Sequence, residues 1–272
     1  MTSMLHHGLL LAGLITLAAC QSTPTALDAV ETAVANPHRS ADFVARDAAR
    51  RPADTLRFFD VQPDMTVVEI WPGGGWYSEI LAPLLRDSGR YYAAHFSADS
   101  DVPYFRRSLA TYREKLAANP SLYDQVIVTE LAPPASTVIA PAGSADRVLT
   151  FRNVHNWAKA GQAEAAFAAF YQALKPGGLL GVVEHRAPAG RSFEEQIASG
   201  YMTEAYVIAL AEQAGFQLVE RSELNANPRD TATHPAGVWT LPPSLRLGDT
   251  DRAHYLAIGE SDRMTLKFRR PE

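Results

Sequence analysis

Apolar and polar positions fall into two rhythms along this chain. Short apolar runs recur at Thr66–Ile70 (TVVEI), Arg90–Phe96 (RYYAAHF), Gln125–Thr129 (QVIVT), Asp146–Phe151 (DRVLTF), Leu179–Val183 (LLGVV), Phe216–Glu220 and Met264–Phe268 (MTLKF). Their length and their β-branched and aromatic content predict strands. Between them the spacing turns helical. Trp76/Ile80/Leu84 and Tyr77/Leu81/Leu85 repeat at intervals of four, and Phe105, Leu109, Tyr112 and Leu116 share one face of a helix over Tyr104–Ala118. Further helices are predicted over Gln162–Leu174, stopped by Lys175-Pro176-Gly177-Gly178, and over Tyr201–Ala214, ended by Gly215. Ahead of the first strand, Ser40 suits the cap of a helix running to Arg50, and Pro52 suits the first position of another over Ala53–Phe59. Strands alternating with helices predict an α/β fold, a parallel sheet covered on both faces. Residues 152–157 read as a polar loop. The last two strands, separated by a long polar excursion over residues 225–262, suit an antiparallel pair at one edge.

The first strand runs into Trp71-Pro72-Gly73-Gly74-Gly75 and then into a helix. Strand, glycine turn, helix is the opening unit of a nucleotide-binding sheet, where glycines let backbone approach a ligand and helix N–H groups point at it. In such a sheet the ligand lies beyond the carboxyl ends of the strands. Four of those ends are rich in polar groups: Glu69–Gly75, His95, Arg152–Trp157 and Glu184–Arg186.

Composition narrows the picture. The 272 residues are 47% hydrophobic and 20% charged, enough for one sizeable core. A net charge of −5 offers no basic footprint for nucleic acid. Cys20 is the single cysteine, so internal disulfides and cysteine-rich zinc sites are excluded. It follows an apolar run, Gly8 to Ala19, of the length of a signal-peptide core. The sequence Leu17-Ala18-Ala19-Cys20 resembles the lipobox of bacterial lipoproteins, although no Lys or Arg precedes the run. That resemblance implies a signal peptide over residues 1–19, lipidation of Cys20, a flexible tether over 20–38, and a domain over 39–272. It also implies an address in the cell envelope, on the periplasmic face of the outer membrane since residue 21 is Gln. The alternative is a cytoplasmic protein with an apolar N-terminus.

Six stretches carry a second resemblance: VVEIWPGGGWYSEILAP, ADRVLTFRNVHNW, ALKPGGLLGVVEHRAPAG, TEAYVIALAEQAGF, GVWTLPPSLRLGD and YLAIGESDRMTLKF. Together they look like a class I S-adenosylmethionine-dependent methyltransferase, and more narrowly a bacterial group known as predicted methyltransferases. The resemblance implies a Rossmann-like sheet of seven strands with the last antiparallel, S-adenosylmethionine as cofactor and a small-molecule acceptor. In the family's acidic-x-Gly-x-Gly-x-Gly pattern Glu69 takes the acidic position, and Gly73 and Gly75 the second and third glycines. Trp71 stands where the first would be, either walling the pocket or turning into packing.

The candidate cofactor contacts are therefore Glu69, Trp71, Gly73, Gly74, Gly75, His95, Arg152 and Asn153. Glu69 either meets the cofactor or steadies the turn. The family's ribose-binding acid is missing at the second strand's end, leaving Asp99, Asp101 or His95 in that region. His155 and His185 are the candidate catalytic bases, with Glu184 beside them. A metal on those three lacks support in their spacing, and none is expected. Asn225, Asn227 and Asp230 either shape the acceptor pocket or serve turns. A lipoprotein domain sits outside the cytoplasm whereas the cofactor is made inside. The alternative function is accordingly an extracytoplasmic lipoprotein that keeps the methyltransferase-like fold but binds another ligand without catalysis.

Overall fold

The computed structural model describes residues 26–272, so Cys20, the apolar run before it and the start of the tether lie outside the described residues. The strands are β1 (Thr66–Ile70), β2 (Arg90–His95), β3 (Val126–Glu130), β4 (Ala145–Phe151), β5 (Leu174–His185), β6 (Gln217–Ser222) and β7 (Arg263–Arg269). They form one sheet in the order β3-β2-β1-β4-β5-β7-β6, with β7 antiparallel to both its neighbours and every other pairing parallel. The expected seven-stranded, mostly parallel architecture is present. β7 lies inside the sheet and β6 at its edge.

The helices are α1 (Ala26–Val34), α2 (Ala41–Val44), α3 (Asp47–Arg50), α4 (Pro52–Phe58), α5 (Ser78–Leu85), α6 (Pro103–Ala118), α7 (Pro120–Tyr123), α8 (Val154–Ala160), α9 (Ala163–Ala173), α10 (Phe193–Ser199), α11 (Glu204–Gln213) and α12 (Arg252–Ile258). Alternation along β1 decides which cover which face. Val68 and Ile70 join the core under α8, α9 and α11, while Val67 joins the core under α1, α4 and α5. Among the described residues no helix is long and apolar enough to cross a membrane.

Several elements differ from the periodicity. Part of the stretch read as tether is α1, whose Val30 and Ala33 are buried. The helix expected over residues 40–50 is two short ones, α2 and α3. Ser40 does not cap, because its hydroxyl donates to Glu79 Oε1 at 2.5 Å and its backbone N–H to Glu79 Oε2 at 2.8 Å. The buried carboxylate outcompetes the local helix for the same groups. The polar segment after β4 winds into α8, and the long insert contains α12. α10 was not read from periodicity, yet it carries a full capping box between Ser192 and Glu195.

Candidate functional site

β1 delivers the glycine turn. The Trp71 N–H still extends the sheet ladder to Ala94 O at 2.8 Å, and then Trp71 takes a left-handed φ of 48°. That conformation costs a non-glycine residue on the order of 1 kcal/mol, and here the indole is held in place. Its N–H donates to Leu131 O at 2.9 Å, and the ring packs on Phe96, Phe105 and Trp157. The two fates expected for Trp71 are thus combined, since it packs and also lines the cavity below. Gly73 follows with φ 58°, and a Cβ there would meet no protein atom within 4 Å. Its missing side chain faces open space that a ligand can use.

His95 and Glu69 support this turn from behind. The His95 Nδ1 accepts the Phe96 N–H at 2.8 Å, which leaves the proton on Nε2 to be donated to Gly73 O at 3.1 Å. Burial pushes its imidazolium down to about 4, so the ring stays neutral and its tautomer fixed. Glu69 is sealed beneath α5, where it accepts hydrogen bonds from Ser78 Oγ at 3.1 Å and from the Tyr91 hydroxyl. Its carboxyl is buried, and Glu69 is not among the residues that line the cavity below.

The cavity at this rim holds about 690 Å³, a size usual for small-molecule sites. Of the sequence candidates, Trp71, Gly73, Gly74, Arg152, Asn153 and His155 line it. Glu69, Gly75, His95 and His185 do not. Asp99 is exposed outside it, as is Asp101. Asn225, Asn227 and Asp230 also stand apart. Asn225 ties Thr55 to Thr265, Asn227 holds the carbonyls of Ile258 and Glu260, and Asp230 accepts from Tyr201 and His234. Asn225 thus fastens the insert to β7, and Asn227 and Asp230 brace the insert itself.

Asn153 spends its amide nitrogen on Ile70 O at 3.0 Å, joining the end of β1 to the loop after β4 and leaving its Oδ1 for a ligand. His155, one residue inside α8, lines the cavity and binds Glu184 Oε1 through Nδ1 at 3.0 Å. Glu184 also accepts the Val154 N–H at 2.6 Å and the His185 N–H at 2.8 Å. An acceptor so engaged requires Nδ1–H on His155, so Nε2 keeps its lone pair. This is the base-and-orienter pairing of acid–base enzymes. His185 is turned away, its Nδ1 against Ser261 Oγ at 2.5 Å, and burial together with His155 and Arg152 holds it well below the ordinary histidine range.

Ligand atoms of His155, Glu184 and His185 lie within 4.8 Å of one another, close enough for a metal. Both oxygens of Glu184 already serve N–H donors, however, and Arg152 is close enough to repel a cation.

Among the lining residues that were not sequence candidates are Arg46, Arg50, Trp239 and Arg246. The i, i+4 spacing of Arg46 and Arg50 before Pro52 was the available signal, and it reads equally as a solvated helix face. A second cavity of about 560 Å³ lies between Arg186, Arg191, Glu204 and Asp230. Its Arg186 is neutralised by Glu204, Glu223 and Asp262, which leaves less unpaired charge than at the glycine turn.

Comparison with known proteins agrees with the topology. A SAM-dependent methyltransferase from Aquifex aeolicus superposes with a TM-score of 0.56 at 14% identity, over 83% of this chain and 93% of that one. A protein described as a sarcosine dimethylglycine methyltransferase from Galdieria sulphuraria gives 0.56 at 13%, over 86% and 90%. The [4+2]-cyclase SpnF gives 0.50 at 16%, over 81% and 82%. Likeness at this identity shows the fold, which is that of the class I methyltransferases. No protein-family model matches the sequence, and no curated protein matches it.

Proposed function

We propose that this protein is an S-adenosylmethionine-dependent methyltransferase acting on a small-molecule acceptor. The observation that carries the reading is the cavity at the carboxyl ends of β1 and β4, opened by the glycine turn in a sheet of methyltransferase topology. The residues present fit the cofactor in part. Trp71, Phe96, Tyr104 and Phe105 offer aromatic faces for a purine, and Gly73 and Gly74 permit close backbone approach. The ribose-binding acid that the family uses has no counterpart in the lining.

Bound S-adenosylmethionine supplies an activated methyl group. The protein then mainly positions the reactants. His95 and Glu69 hold the turn, Asn153 fixes the adjoining loop, and His155 Nε2 takes the acceptor's proton while Glu184 steadies the ring. His155 is the catalytic candidate and His185 a packing neighbour. The envelope address and the lipid on Cys20 belong to the same proposal and rest on the sequence of residues 8–20.

A second reading is favoured by one observation. Among the described residues the cavity lining contains arginines but no Asp or Glu, whereas a sulfonium is a cation. A binding protein for another ligand answers to that charge, and SpnF, a [4+2]-cyclase, shows that the fold does not fix the reaction. Calorimetry with S-adenosylhomocysteine separates the two. The methyltransferase reading expects binding that Gly73→Val abolishes in a folded protein. Absence of binding to the parent protein overturns it.

A further inference from the structure

The charge of this cavity is one-sided. Arg46 and Arg50 approach from α2–α3 and Arg152 from the loop after β4, all lining the same space. Behind them stands Arg263 of β7, close enough to repel Arg50 and Arg152. A single carboxylate serves most of this group. Glu260 reaches Arg46 Nε at 2.6 Å, Arg50 Nε at 3.3 Å and Arg263 Nη1 at 3.4 Å. Burial opposes its ionisation, but Arg50, Arg263 and Arg46 outweigh burial and hold it down to about 2, so it is fully charged at neutral pH.

That one charge cannot satisfy the cluster. Arg152 has no carboxylate within ion-pair distance among the described residues; of the two acids that act on it, Glu260 is shared with Arg46, Arg50 and Arg263, and Glu184 is committed to Val154, His155 and His185. Arg46 keeps a buried Nη2 with no hydrogen-bond partner. Arg50 lies over the Trp76 ring at 4.6 Å, and burial followed by repulsion from Arg152 brings its guanidinium down to about 8. Three guanidinium groups thus share one carboxylate while a fourth, Arg152, has none at ion-pair distance, and an oxyanion supplies the missing acceptors bidentately.

We propose that Arg46, Arg50 and Arg152 form an anion subsite that takes the carboxylate or phosphate group of the methyl acceptor. The word acceptor rests on the methyltransferase reading. The subsite itself rests on the cluster. The cofactor's own carboxylate is balanced by its ammonium, so it leaves the arginine excess in place. An anionic acceptor removes that excess and also offsets the sulfonium. Trp76 and Trp239 wall the cavity beside it, and the Trp239 ring lies 6.1 Å from that of His155. An acceptor anchored by its anion thus places a neighbouring hydroxyl or amine near the His155 base.

The test titrates the full-length protein with inorganic phosphate, acetate and S-adenosylhomocysteine, alone and in pairs, by calorimetry. The proposal expects phosphate or acetate to bind with and without saturating S-adenosylhomocysteine. Arg46→Gln should weaken that binding at least tenfold and change S-adenosylhomocysteine affinity less than twofold, while Arg46→Lys, which keeps the charge, should retain more of it. A rise in the melting temperature of the parent protein with phosphate gives a readout independent of the variants. Competition between phosphate and S-adenosylhomocysteine would assign the arginines to the cofactor's carboxylate and overturn the proposal. S-adenosylhomocysteine binding with no anion binding overturns it as well and leaves the methyltransferase reading standing. Anion binding without S-adenosylhomocysteine binding upholds the subsite and removes the methyltransferase reading.

Discussion

Glu69 gives the sharpest quantitative expectation. Its carboxyl is buried under α5 with Tyr91, Ser78 and Tyr112, and Lys115 is the nearest opposing charge. Burial raises it from 4.5 to about 7, against the lowering effect of the Tyr91 and Ser78 hydrogen bonds and of Lys115. The folded protein therefore keeps this proton up to about pH 7, whereas the unfolded chain releases it near 4.5. Between those values folding takes up a proton, so this group's contribution is most favourable below pH 4.5 and is lost as pH rises through 7. The full loss is about 3 kcal/mol at 1.36 kcal/mol per pH unit. Glu69→Gln has the same shape and no titration. Urea unfolding of both proteins from pH 4 to 8.5, followed by tryptophan fluorescence, isolates the term as a difference. The variant should gain on the parent by about 3 kcal/mol across that window. A difference that stays flat, or one that moves in the parent's favour as pH rises, would show the carboxylate ionised in the fold and refute the reasoning.

Two further expectations are independent of the cofactor. A Cβ on Gly237 would sit 2.2 Å from Ser199 O, and its φ is 58°. Gly237→Ala should cost about 3 kcal/mol in chemical denaturation, the sum of overpacking and left-handed strain, and a loss under about 1 kcal/mol would mean that α10 and the insert shift freely. Cys20→Ala should move the protein from the membrane fraction to the soluble one and block lipoprotein-type processing; unchanged fractionation and processing reject the lipid anchor.

What the sequence made legible follows from the range of the forces involved. β1, α6, α9 and β7 were readable because each buries an apolar stripe whose period is local. α8 was missed because Arg152-Asn153-Val154-His155-Asn156-Trp157 is polar at every position that periodicity weighs except Val154 and Trp157. The N–H of its first residue, Val154, is satisfied by Glu184, 30 residues away. The helix expected over residues 40–50 breaks at Ala45-Arg46, and its expected cap is lost because Glu79, 39 residues from Ser40, binds that residue's hydroxyl and N–H. In the site, the glycine turn, Arg152, Asn153 and His155 were found since they follow strands, and strand ends share a rim. Glu69 and His95 sit at the expected positions but outside the cavity lining, Glu69 bonded to Ser78 and Tyr91 and His95 to Gly73 O, a distinction that depends on the direction of each side chain.

The residues that escaped share an origin. Arg46 and Arg50 come from the segment before β1, and Trp239, Arg246 and Glu260 from the insert between β6 and β7. Both segments lie outside the repeating strand–helix units, and they meet only in the fold, where Arg46 and Glu260 pair across 214 positions. The sheet thus contributes the turn, the oriented histidine and Arg152, while the two flanking segments contribute the rest of the charge and most of the outer wall. A sheet shared at 13–16% identity with proteins of differing activities therefore carries little information about the ligand's polar groups. The arginine cluster carries more, because an anion offsets the charge that these two segments and Arg152 bring together. On the proposed reading, residues 39–58 and 225–262 set the ligand's identity, and substitutions there should change ligand preference without disturbing the glycine turn.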